Sequence, residues 1–74
     1  MRYVLKHEGQ FVRWIHWVAT VTPSFKLSKF GEAMIVDDNY LEYPLGKSKK
    51  TRRELILEKY PDVEIKEVSV TLVN

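Results

Sequence analysis

Tyr3-Val4-Leu5-Lys6-His7-Glu8-Gly9-Gln10-Phe11-Val12-Arg13-Trp14-Ile15-His16-Trp17-Val18-Ala19-Thr20-Val21 is the stretch whose reading decides the fold. Residues 3–6 and 11–21 are rich in aromatic and β-branched side chains, which suit a pleated, half-buried surface. Gly9 stands between them, so the stretch reads as a hairpin. Two turns compete. A two-residue loop of Glu8-Gly9 pairs odd positions with even ones and mixes charge with apolar bulk. A three-residue loop of His7-Glu8-Gly9 pairs odd with odd. It gathers Tyr3, Leu5, Phe11, Ile15 and Trp17 on one face, with Arg13 as that face's only charge. A one-residue slip would flip every side chain, so the apolar pattern favours the second turn. That turn also puts Gly9 at the left-handed position of a type I turn with a G1 bulge.

Outward from the hairpin the signals are shorter. Thr22-Pro23-Ser24 reads as a turn that ends the second strand. Phe25-Lys26-Leu27 resumes as a third strand, and Ser28 is expected to cap a brief helical turn through Ala33. Met34-Ile35-Val36 reads as a short buried strand and Asp37-Asp38-Asn39 as a turn. Residues 40–46 look irregular. The clearest helix covers residues 52–60: Thr51 with Glu54 forms a capping box, Leu55, Ile56 and Tyr60 supply an inward stripe, and Pro61 stops it. Ser48 is a rival cap one turn earlier. Residues 63–73 read as a last strand whose apolar phase shifts near Lys66-Glu67, suggesting a bulge. The expected architecture is one α+β domain over residues 1–74. It has a mainly antiparallel sheet of four to five strands and one helix in the C-terminal half, packed on one face.

Composition narrows the class. The chain has 74 residues, 45% of them hydrophobic, with three Gly and three Pro, which excludes collagen-like and disordered types. The absence of cysteine excludes disulfides and thiol chemistry. No run approaches the roughly 20 apolar residues of a membrane span, and the first residues do not read as a signal peptide. A cytoplasmic protein with no membrane contact is expected.

The opening Tyr3-Val4-Leu5-Lys6, the Gly9 turn, Gln10-Phe11-Val12, Phe25-Lys26-Leu27-Ser28, Glu32-Ala33-Met34 and a late helix before a Val-rich strand form an ordered set. In that order the chain resembles short proteins of Gram-positive bacteria and their phages whose activity is unknown. The resemblance implies a small phage or prophage accessory protein and carries no site residue with it. Residues 40–46 and the basic run after them depart from that pattern.

That run, Lys47-Ser48-Lys49-Lys50-Thr51-Arg52-Arg53, holds five of the twelve cations. The rest of the chain then has seven cations against ten carboxylates. Cations at a helix N-terminus oppose the dipole at roughly 0.3–1 kcal/mol each. A sequence that defies local consistency in this way points to function. Lys47, Lys49, Lys50, Arg52 and Arg53 are the candidate anion-binding or partner-binding residues, with the arginines suited to bidentate phosphate contact. A solvated loop that aids solubility is the plain alternative.

The preferred register also leaves an even face of Val4, Val12, Trp14, His16 and Val18, too apolar for an open sheet surface. Val12, Trp14, His16 and Val18 are therefore candidate interface residues, covered by the long loop, by a second subunit in a homodimer, or by a stacked base. No RNP-like motif, P-loop, GxGxxG or GxSxG is present, and His7 and His16 do not converge. No catalytic residue, metal or cofactor is expected. The leading function is a non-catalytic interaction module that contacts an acidic or phosphate-bearing partner. A nucleic-acid binder acting through residues 47–53 and a structural homo-oligomer are the alternatives.

Overall fold

The computed structural model describes residues 1–28 and 31–69 and shows an α+β fold built on a mainly antiparallel sheet. In chain order the elements are β1 (Arg2–His7), β2 (Gln10–Val18), β3 (Thr22–Leu27), β4 (Val36–Asp37), α1 (Asp38–Leu41), β5 (Pro44–Leu45), β6 (Lys50–Thr51), α2 (Arg52–Lys59) and β7 (Glu64–Val68). β1 is central. It pairs β7 along Arg2–Lys6, while its other edge is shared by β2 at Lys6 and His7 and by β4 at Arg2 and Tyr3. β3 lies outside β2, and β5 and β6 form a separate small ladder.

The first hairpin takes the two-residue turn, not the three-residue one. His7 pairs with Gln10 and Lys6 with Phe11. Glu8 and Gly9 both have positive φ, at 51° and 79°, the conformation whose twist matches the flanking strands. The apolar pattern misled because the odd–even pairing is brief. After two pairs β2 leaves β1, and its ladder with β3 shifts register between Val12 and Trp14. That bulge changes the phase, so Val12 and Ile15 both reach the core, at 0% and 3% exposure.

Other expectations shift too. Thr22, Pro23 and Ser24 belong to β3, with Pro23 opposite Trp17; the chain turns earlier, through Ala19 and Thr20, both with positive φ. Pro23 is tolerated because β3 is an edge strand. The Ser28 hydroxyl accepts the Glu32 N–H at 2.8 Å, yet residues 31–35 are not helical; Lys29 and Phe30, within the expected helical turn, lie outside the described residues. The short strand is Val36–Asp37, and Ile35 is exposed. Asp37 caps α1 by accepting the Tyr40 N–H, so the expected turn opens a helix instead. β7 runs opposite β1 with no bulge, Glu67 facing Tyr3 and Val68 facing Arg2; residues 70–73 of the expected strand lie outside the described residues.

Helix α2 forms as its sequence dictates. Thr51 accepts the Glu54 N–H and the Glu54 carboxylate reaches back to the Thr51 N–H, closing the capping box. Its one fully buried side chain, Ile56, joins Leu5, Val12, Ile15, Val36, Leu41 and Val63 in the core. Beyond it the Phe25 and Tyr60 rings stack at 4.0 Å, His7 packs edge-on against both, and the Lys59 ammonium donates to the Pro23 carbonyl. These contacts tie the end of the helix to the β3 edge.

A polar latch joins α1 to β1. The Tyr3 hydroxyl donates to Asp38 at 2.8 Å, and the Met1 ammonium lies 3.1 Å from the other carboxylate oxygen. The hydrogen bond from Tyr3, then the ammonium, holds the Asp38 carboxyl below its ordinary range. The same hydrogen bond, then burial, raises the Tyr3 phenol. A lowered carboxyl contributes stability above its unfolded pKa and loses it as pH falls through the folded value. The raised phenol loses its share only as pH rises through its own folded value. The stability advantage of the native chain over Tyr3→Phe should therefore shrink between about pH 5 and about pH 2. Denaturant titrations of both proteins across that range check this, and an advantage that stays constant would remove the latch.

Candidate functional site

The basic run does not form one free patch. Thr51 caps α2, so the run enters the helix with its side chains diverging. The Lys50 ammonium bonds the Glu58 carboxylate, which raises the lysine's pKa above its ordinary value. Arg53 Nε lies 2.9 Å from Glu42 Oε1 as a close ionic contact whose N–H is not aligned as a hydrogen bond. Arg52 turns inward. Its guanidinium carbon stands 4.3 Å from the Tyr40 ring centre, 5.0 Å from Tyr43 and 5.9 Å from Trp17, and its Nη1 donates to the Tyr40 carbonyl. The Trp17 indole N–H donates to the Tyr40 hydroxyl at 2.9 Å, so the cage around the cation is itself fixed. Among the described residues, Lys47 and Lys49 are the members of the run with neither an ion pair nor a ring contact, on the exposed turn between β5 and β6.

The even-face candidates also divide. The bulge takes Val12 into the core, and Val4 is 8% exposed. Trp14, His16 and Val18 remain outside. Beyond the bulge they alternate with the inward Ile15 and Trp17, and their cross-strand neighbours on β3 are Lys26, Ser24 and Thr22. Trp14 is 55% exposed and Val18 48%. Both helices pack on the opposite, core side of this ladder, through Leu41 and Ile56.

Charge marks this face. All ten carboxylates of the chain fall outside residues 9–31, while Arg13 and Lys26 stand on β2 and β3 with His16 between the strand's aromatic residues. Gly46 brings the two remaining lysines to the far end of the same hairpin. Its φ is +71°, and a Cβ there would stand 2.8 Å from Val21 Cγ1. Only glycine lets the turn carrying Lys47 and Lys49 approach the hairpin tip so closely. Sequence reasoning missed Lys26. The signal was present as a 23-residue gap in the acidic residues, which the overall charge balance conceals.

The Asp37 and Glu42 carboxylates are both engaged: Asp37 caps α1 and Glu42 faces Arg53. His7 packs on the core side against Phe25 and Tyr60, and His16 lies on the opposite face. No group of three metal-ligating side chains occurs among the described residues. A depression of about 370 Å³ beside β4 sets Arg2 and Asp37 among apolar side chains and carries no net charge.

Among the described residues, fold and surface define a small α+β domain with an exposed, aromatic and cationic face on the β2–β3 ladder. No family model, curated protein or solved structure matches the chain.

Proposed function

We propose that the protein is a small non-catalytic binding module that docks an anionic partner on the outer face of the β2–β3 ladder. The observation that carries this reading is the cross-strand pair of Trp14 and Lys26 on a face with no carboxylate within residues 9–31. Large exposed apolar groups amid polar ones mark contact surfaces, and a face of one charge sign attracts partners of the other. The run at residues 47–53 contributes less than its count of cations suggests, because Lys50 and Arg53 are paired and Arg52 is caged. Lys47 and Lys49 extend the surface at the hairpin tip. The same reading includes a phage or prophage accessory role in the cytoplasm, which rests on the resemblance of the sequence alone.

Backbone amide spectra during titration with heparin test the reading. Shifts are expected at Trp14, His16, Val18, Lys26, Lys47 and Lys49 at low salt, fading once the ionic strength shortens the screening length to a few ångströms. Shifts confined to other residues, or none at low salt, would sink it.

A further inference from the structure

We infer that the partner on this face is single-stranded nucleic acid, with a base stacked on Trp14 and the backbone following Arg13, Lys26, Lys47 and Lys49. The inference rests on the anion-binding reading above and adds the chemical class of the occupant. Charge alone would suit any polyanion; the ring is what discriminates. Trp14 sits on a strand whose backbone is held by β3 and whose inner neighbour Ile15 is locked in the core, so the indole stands on a rigid platform. An acidic peptide would satisfy the lysines and leave the exposed ring without a flat partner. A nucleobase supplies both, since every base has a π-face and every nucleotide a phosphate.

A second copy of the chain fits poorly. Two-fold pairing through this face would gather the Lys26 and Arg13 of both copies in one interface with no carboxylate of residues 9–31 to relieve them, and like charges facing across an interface are costly. Duplex nucleic acid also fits less well, because its bases are already stacked and offer the ring no face.

The cationic path is longer than one contact. From Trp14 the strand continues for four residues to Val18, roughly 13 Å at a strand's usual rise, and Val21 then meets the turn that carries Lys47 and Lys49. This length matches a site of about four nucleotides or more.

The test uses the full chain with a fluorescent oligothymidine, the same oligonucleotide as a duplex, heparin and poly-glutamate, at several salt concentrations. The oligothymidine should bind tightest, with a log–log salt slope near −0.7 for each phosphate contacted. Trp14→Ala should weaken it by about 5- to 150-fold while heparin binding changes little. Lys26→Glu should weaken both. Because Trp14 and Lys26 are exposed, circular dichroism should show both variants folded. Equal binding of heparin and oligothymidine, with Trp14→Ala affecting neither, would overturn the stacking proposal and leave the anion-binding reading standing. Preference for poly-glutamate or for duplex would overturn it as well. A dimer in sedimentation that Trp14→Glu dissolves would show the face covered by a second copy, against the proposal. Absence of binding to every polyanion at low salt would remove this inference and the reading beneath it together.

Discussion

Replacing Ile56 with alanine should lower stability by about 2–5 kcal/mol, the usual cost of emptying a fully buried isoleucine site. Ile56 is the one side chain of α2 with no exposed surface, and it belongs to the core cluster that also takes residues from β1, β2, β4, α1 and the segment before β7. No neighbour on the helix can replace it. Leu55 is half-buried, and Leu57 is 39% exposed. Small domains sit at the low end of the roughly 5–15 kcal/mol range. The loss is therefore a large share of the total, and at about 4–8 °C per kcal/mol the thermal midpoint should fall by about 10 °C or more. Leu57→Ala serves as the control and should stay within about 0.5 kcal/mol. Urea melts of the three proteins decide the matter. A change at Ile56 no larger than at Leu57 would mean that α2 is not fastened to the sheet through this residue.

The helix was legible because its signals are local. Thr51, Glu54 and Pro61 act within a few residues of themselves, and the stripe through Ile56 needs only the helical repeat. The strands were legible as strands from their β-branched and aromatic content. Register was not, because the decisive facts are non-local. Nothing in the apolar pattern reveals that β2 leaves β1 after two pairs, that β4 takes the vacated edge, or that a bulge beyond Val12 rephases the strand. The odd–even turn looked wrong only on the assumption that its pairing continued. The basic run failed to read for a related reason. Counting cations cannot show that Glu42 and Glu58 reach Arg53 and Lys50, or that Tyr40 and Tyr43 fold around Arg52. Trp14, His16 and Val18 were legible as an outward group, since alternation alone places them together once the strand is granted.

Arg52 gives the second large effect, and its size separates a structural cation from a binding one. The guanidinium lies between two tyrosine rings, beside Trp17, with one N–H on a carbonyl of α1. Cation–π contacts in partly desolvated sites contribute about 0.5–2 kcal/mol, and the aliphatic stem adds packing that truncation also removes. Arg52→Ala should cost about 1–3 kcal/mol. Arg52→Lys should recover only part of this, because a compact ammonium cannot lie flat between rings and keep the bond to the Tyr40 carbonyl. Arg53→Ala removes an exposed ion pair and should cost at most about 1 kcal/mol, and Lys47→Ala about 0.5 kcal/mol or less. Denaturant midpoints order the four variants, and near-ultraviolet circular dichroism should report loss of the fixed Trp17 environment in Arg52→Ala alone. Equal stability of Arg52→Ala and Lys47→Ala would return Arg52 to the surface and reopen the run as an anion site. Charge reversal at Arg52 would in the expected case damage the fold before it weakened any contact. The contribution of the run to binding is therefore read at Lys47 and Lys49, whose replacement leaves the cage and both ion pairs in place.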